Sequence, residues 1–407
     1  MLNNKARLPS SNLLQPHYSD FNVESRILLS GHSHQAWPNV AKQGLLASFD
    51  DAALHIDDKW QTAFKKADRV KDFYLNLLGE PNGEITLAAS THELILRFLS
   101  DLAQLKVKKP HRPIKIITTD GEFHSMRRQL DRLQDIHFII EKVSVIPSKT
   151  LATRIIERLD KTTDAVMLSA VFFSNSEVFN NIGQVAQAAD SLSIPCLVDA
   201  YHALNVIPFN LNDWQLNSAF VIGGGYKYCQ AGEGNCFMRI PKNYHGSPLI
   251  TGWFAEFESL DKQSSSVGYS MGQAAFSGST YDPASHYRAA AVFDFFADQA
   301  LTDLTLQQIN QVQVNTLYTG IQSINPNVLA LPQHGIENNA GFLSLTTPQA
   351  QTWVAELAKH DILCDSRSNQ LRLGPAPYVS NAQLDKTLEM IEYIDNKMRS
   401  HSVSKAG

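Results

Sequence analysis

Cysteine is scarce in this sequence, with four in 407 residues. Cys196, Cys229, Cys236 and Cys364 stand at spacings that match no zinc signature, and so few in so long a chain exclude a disulfide framework and read as a reduced, cytoplasmic protein. No apolar run approaches the roughly 18 residues that a membrane span needs. The opening MLNNKARLPSSNLLQPHYSD lacks the continuous apolar core and the small-residue cleavage site of a secretory leader. Charge of one sign is lacking as well. A net charge of −5 leaves no electrostatic footprint for nucleic acid or an anionic membrane, and the basic stretch 106–115 reads as a solvated connection. Repeats and low-complexity tracts are absent. What is present is 43 % apolar and 18 % charged, ordinary for a globular enzyme, in a chain long enough for two domains.

The informative part is an alternation of short apolar runs with helical spacing between residues 85 and 222, which predicts an α/β domain with a largely parallel, doubly wound sheet. Residues 194–198 read as a buried strand that delivers Asp199 to its C-terminal end, the end at which such sheets bind ligands. His202 follows three residues later. A second run, 219–222, ends in Gly223-Gly224-Gly225 and then Tyr226-Lys227-Tyr228. Glycines allow close approach of backbone to a ligand, and the lysine stands directly behind them. An acid and a lysine on neighbouring strand ends suit pyridoxal phosphate, which needs a lysine for covalent attachment and a carboxylate for its pyridine nitrogen. Upstream, the run 85–89 gives way to Ser90-Thr91, with Glu93 in the first turn of a helix and apolar residues 94, 98, 99 and 102 on one face. That is a helix start with a hydroxyl cap, and its free N–H groups suit an anion. The pair His32 and His34 has no Cys or acidic partner at a recognised spacing, so no metal site is predicted.

Asp-x-x-His followed by Tyr-Lys-Tyr and a Gly-rich turn resembles the class V branch of fold-type I pyridoxal-phosphate enzymes, and within it looks most like kynureninase. Gly252-Trp253-Phe254 is similar to the Gly-Trp-Phe of that family, and residues 275–280 resemble the class V Gly-Gly-Thr turn. The resemblance implies a pyridoxal-phosphate site with Lys227 and Asp199 as the catalytic pair. Ser90, Thr91 and Tyr226 would hold the phosphate, with Trp253 and Thr280 reaching across a homodimer to the neighbouring subunit's phosphate. Phe123, with His124 as the alternative, would stack on the ring. His202 would support it, and Asn175 would approach its oxygen. Arg372 would clamp the α-carboxylate of an amino-acid substrate, and His32, Ser33 and His34 would lie near that substrate.

The same resemblance implies an arm (1–25), a large cofactor domain (26–285) and a smaller C-terminal α/β domain (286–407). It points to a kynureninase-like hydrolase or β-lyase, then to a class V aminotransferase, then to a cysteine desulfurase. Met126, Ala255 and Glu256 depart from the kynureninase pattern, as does the absence of its Asn-Pro-Pro turn, and these departures argue for a different substrate. From residue 286 the apolar spacing predicts one long helix running to about residue 324, followed by strands and helices of the smaller unit.

Overall fold

The computed structural model describes residues 11–108, 112–260, 267–270, 272–333 and 335–404. Expectations for residues 1–10, for the centre of 106–115 and for 405–407 lie outside them. The strands are β1 (Ile27–Leu28), β2 (Glu84–Ala88), β3 (Ile114–Thr119), β4 (Phe138–Val143), β5 (Thr163–Ser169), β6 (Cys196–Asp199), β7 (Phe220–Gly223), β8 (Cys236–Ile240), β9 (Leu343–Thr346), β10 (Ile362–Leu363), β11 (Asp365–Arg367) and β12 (Gln370–Leu373).

Seven of them form the central sheet in the order β2-β8-β7-β6-β5-β3-β4. β8 runs against both of its neighbours, and every other pairing is parallel. Successive side chains of a strand point to opposite faces, and here both faces are covered. Met167, Leu197 and Ile222 pack on one side with Leu94, Phe98 and Leu130, from the helices Thr91–Lys108 and His124–Leu133. Leu168, Val198 and Val221 pack on the other with Val70, Tyr74, Val185 and Phe293. Those residues belong to the helices Lys59–Leu77, Ile182–Ser191 and Ala284–Asp298. Parallel strands covered on both faces read as unbroken apolar runs, which is why this sheet is visible in the sequence. Each buried Leu or Val contributes about 1.5–3 kcal/mol.

β9, β11 and β12 make a small antiparallel sheet in the C-terminal unit. It packs with the helices Asp303–Ile324 and Ala350–Ala358, and Asn381–Ser404 packs on both of these helices. The N-terminal segment joins this unit, because β1 pairs in parallel with β10 and Ser30 bridges Gly374.

Three details differ from the sequence reading. The single helix expected over 286–324 is two helices, Ala284–Asp298 and Asp303–Ile324. Ala300 breaks the first in a left-handed conformation (φ 52°), and the Thr302 side chain accepts the Thr305 N–H to start the second. Apolar periodicity continues across that break and conceals it. β4 and β8 are strands that the sequence reading does not mark, and the helix Val40–His55 is another element it leaves out.

Candidate active site

β2, β3, β5, β6 and β7 run the same way, so Ala88, Thr119, Ser169, Asp199 and Gly223 end along one edge of the sheet. Asp199 lies opposite Ser169 on one side and Ile222 on the other. Its side chain accepts the Tyr201 N–H at 2.9 Å. The chain then turns at Gly224–Gly225 and presents Lys227. Glycine is required at 225, where a Cβ would come within 2.0 Å of Asn235 Oδ1. Asn235 in turn ties the loop through its amide to the carbonyls of Ala231 and Gly232.

Lys227 is 4 % exposed and Asp199 7 %. Three rings surround the Lys227 amine, with Nζ 5.0 Å from the centroid of Tyr201, 5.2 Å from Phe123 and 5.7 Å from Tyr226. His202 Nε2 is 2.5 Å from Nζ. Burial pushes the lysine down from its ordinary value, against the pull of Asp199, and Arg372 depresses it further. Burial pushes the Asp199 carboxyl up, while the Tyr201 N–H and the Lys227 charge hold it down. The His202 imidazole is lowered well below its ordinary value by burial and by Lys227, so it is neutral and accepts from the amine. Such shifts on a convergent acid and amine are typical of reacting sites.

Across the cavity, Thr91–Lys108 begins with Ser90 as its cap. Ser90 Oγ accepts the Glu93 N–H at 3.4 Å, a side-chain N-cap, and lies 3.5 Å from Glu93 Oε1. Ser90, Thr91, Phe123, Asp199, His202, Tyr226 and Lys227 all line one cavity of about 360 Å³, within the size range of small-molecule sites. Tyr201, Ser169, Phe173 and Cys236 line it too. The Cys236 thiol is pushed up to about 12 by burial and is inert. Beneath the floor lies Glu122, 1 % exposed. It accepts from Thr119 Oγ1 at 2.6 Å and from Ser169 Oγ at 2.5 Å. Among the described residues no group of three His, Cys, Asp or Glu is arranged to hold a metal ion, and no helix is long and apolar enough to cross a membrane.

No protein-family model matches the chain. An uncharacterised aminotransferase of Bacillus subtilis (strain 168), YcbU, is 20 % identical over 385 residues, covering 91 % of this chain and 94 % of that protein. Among solved structures, the apo cysteine desulfurase of Thermococcus onnurineus NA1 superposes with a TM-score of 0.77 at 17 % identity, over 97 % of this chain and 99 % of that one. The cystine C–S lyase C-DES in complex with its product cysteine persulfide gives 0.75 at 15 % identity, over 91 % and 98 %. The chain therefore shares the overall fold of these enzymes, an α/β architecture with a mostly parallel central sheet.

The remaining sequence candidates lie outside the cavity. His124 is exposed and sits beside Phe173 and Arg127, so Phe123 is the aromatic that faces Lys227. Trp253 Nε1 donates to Thr280 Oγ1 at 3.3 Å, and Thr280 lines a second cavity of about 940 Å³ that shares Ala89, Glu233 and Gly234 with the first. Asn175 faces away, donating to Glu177. His34 stacks on Tyr226 at the rim, 3.6 Å from Glu233, with Ser33 beside it. His32 is buried behind the wall against Asp365, and Arg372 is 3 % exposed with its fork on that same carboxylate.

Tyr201, Glu122 and Asp365 are missed by the sequence reading. Tyr201 and Glu122 carried a usable signal, since each lies in a strand-end turn with a residue already singled out. Asp365 carried none, because its partners come from distant segments.

Proposed function

We propose that the protein is a pyridoxal-phosphate-dependent enzyme acting on an amino acid, with kynureninase-like hydrolase or β-lyase chemistry. The observation that supports this best is the single cavity in which a caged, depressed amine, a buried carboxylate at the adjoining strand end and a hydroxyl-capped helix start converge. Bound there, pyridoxal phosphate supplies an electron sink for charge developing at the substrate Cα.

The chain's own residues supply the rest. Lys227 would hold the cofactor through its amine, and the same amine would move the proton at the substrate Cα. Asp199 holds a proton on the ring nitrogen. Ser90, Thr91 and the first-turn N–H groups hold the phosphate with Tyr226. Phe123 covers one ring face and His202 supports the ring beside Asp199. Arg372 recognises the α-carboxylate.

A C–S lyase among the structural neighbours gives this fold a precedent for cleavage at Cβ. A desulfurase would need a reactive thiol. Cys364 is half-buried between β10 and β11 with its thiol pushed up to about 12 by burial, which weighs against that reading. Aminotransfer is the second reading, favoured by the Bacillus relative. Pyruvate, alanine or sulfide released from amino acids would identify a lyase or hydrolase, and keto-acid formation coupled to amine transfer would identify an aminotransferase.

Purified protein is expected to absorb in the visible and to bleach with borohydride, and Lys227→Ala to abolish both turnover and the reducible bond. A reducible cofactor bond that persists in the variant would refute Lys227 as the attachment point.

We assign the assembly as a cytoplasmic homodimer with shared sites, in which Trp253 and Thr280 serve the neighbour's phosphate. Thr280 lines the second cavity, and Trp253, which donates to it, is 44 % exposed. Lys227→Ala chains mixed with chains mutated at both Trp253 and Thr280 should regain up to about half of the wild-type activity per dimer, since one intact site forms in each mixed pair. Verified subunit exchange without recovered activity would place those turns at their own chain's site.

A further inference from the structure

Arg372 stands one layer behind the cavity, and what holds it there is a chain of contacts that begins in the N-terminal segment. Gly31 N–H donates to the Gly374 carbonyl at 2.9 Å, and Gly374 N–H donates to the Leu29 carbonyl at 2.6 Å. This pairing lays His32 against Gly374 so closely that a Cβ at 374 would come 2.2 Å from His32 Nδ1. The His32 ring also packs against Phe342, centroids 4.4 Å apart. Burial holds its imidazole down to about 4, so it is neutral at physiological pH. Nε2–H then donates to Asp365 Oδ1 at 2.8 Å.

Asp365 takes the side edge of the guanidinium, Arg372 Nε donating to Oδ1 at 2.8 Å and Nη2 to Oδ2 at 2.5 Å. Arg372 Nη1 donates to the carbonyl of Phe173 at 2.7 Å, and Phe173 is cavity wall. Arginine carries five N–H groups. Those three bonds leave one on Nη1 and one on Nη2, the two nitrogens whose spacing matches a carboxylate.

We propose that His32 and Asp365 are positioning residues for substrate recognition, fixing the side edge of Arg372 so that its two remaining N–H groups read the α-carboxylate of an amino-acid substrate. This rests on the reading of the protein as a pyridoxal-phosphate enzyme with Arg372 as the carboxylate's partner. It makes the N-terminal segment part of the specificity apparatus, although neither His32 nor Asp365 lines the cavity. It also sets the substrate class, which is amino acids with a free α-carboxylate and not the corresponding amines. A guanidinium released from its side-edge anchor swings through several rotamers, and a displacement of about 1 Å in such a group costs up to about 100-fold.

The test uses cofactor-loaded protein and reads binding rather than turnover. L-alanine and ethylamine, which differ only by the carboxylate, are titrated while the visible spectrum reports displacement of Lys227. Wild-type protein should bind L-alanine more tightly than ethylamine. His32→Ala and Asp365→Asn should weaken L-alanine about 10- to 100-fold and leave ethylamine unchanged. His32→Gln, which keeps an N–H donor, should recover much of the loss. An L-alanine affinity unaltered in both variants overturns the proposal, as does tighter L-alanine binding in Asp365→Asn, which would mark Asp365 as a competitor for Arg372. Equal affinity of wild-type protein for the two probes overturns it too. Failure of the underlying reading looks different, because wild-type protein would then carry no borohydride-reducible cofactor to titrate.

Discussion

Glu122 and Asp365 are both acids set just behind the cavity wall, one beneath the sheet edge and one in the C-terminal unit, and they are kept there by opposite means. Glu122 has only uncharged hydrogen-bond partners, the Thr119 and Ser169 hydroxyls and the Ser169 backbone. Burial pushes its carboxyl up to about 7 against those hydrogen bonds, and the nearby Asp199 charge adds to the rise. Asp365 is also raised by burial, but the His32 and Arg372 hydrogen bonds and charges outweigh it and hold the carboxyl well below the usual carboxylate range. A buried carboxylate is neutralised either by a proton or by a cation. The floor of this site uses the first and its specificity side the second. The difference teaches where charge is tolerated. Beside Asp199 a second negative charge is disfavoured, whereas beside Arg372 a negative charge is required.

Breaking the ion-paired side should have the largest effect. Asp365→Ala strands a buried guanidinium without its counter-charge and should cost about 3–5 kcal/mol of stability, measured by urea unfolding at neutral pH. A loss under about 1 kcal/mol would mean that Arg372 relaxes into water, and the contrast with Glu122 would collapse.

The protonated side is sharpened by pH. A group whose native pKa is raised binds more protons folded than unfolded, so its contribution is complete below its ordinary value of 4.5 and is lost as pH rises through about 7. Wild-type protein should therefore lose on the order of 3 kcal/mol between pH 5 and pH 8 on account of Glu122. Glu122→Gln, with no proton to lose, should flatten that slope. Asp365 contributes in the reverse sense, its share being present above its ordinary value of 3.8 and lost in more acid solution. A variant with an unchanged slope between pH 5 and pH 8 would show that Glu122 stays ionised throughout.

The smallest expected effect belongs to Ser169→Ala, which removes one donor to Glu122 and should cost about 1 kcal/mol. Because the lost bond favours the carboxylate, the midpoint of the pH slope should move upward. A downward move would mean that Ser169 accepts from a protonated Glu122 and stabilises that form.

Much of the sheet-edge site was legible in the sequence because its signals are local. Ser90 and Thr91 announce a helix start, Asp199 and Lys227 end apolar runs, and Phe123 lies in the turn after another. Each side chain is placed by the few residues before it. The specificity side is built differently. His32 meets Asp365 across 333 positions, and no composition, spacing or periodicity records that meeting. β4 was illegible for another reason. It is an edge strand in which only Ile140 and Val143 are buried, and its apolar start gives way to charged Glu141 and Lys142, so it lacks the long apolar run of the inner strands. Trp253 and Thr280 are legible as a pair of turns and do come together, 3.3 Å apart, with Thr280 lining the second cavity and not the first.

The pairing of β1 with β10 also imposes an order of events on a growing chain. Every strand of the central sheet has been made once Ile240 is synthesised, whereas Gly374, against which His32 lies, comes more than a hundred residues later. At about 5–20 residues per second, the segment carrying His32 waits on the order of twenty to seventy seconds for its docking place. During translation the strand ends that carry Asp199 and Lys227 are therefore made first and the partners of the arginine anchor last.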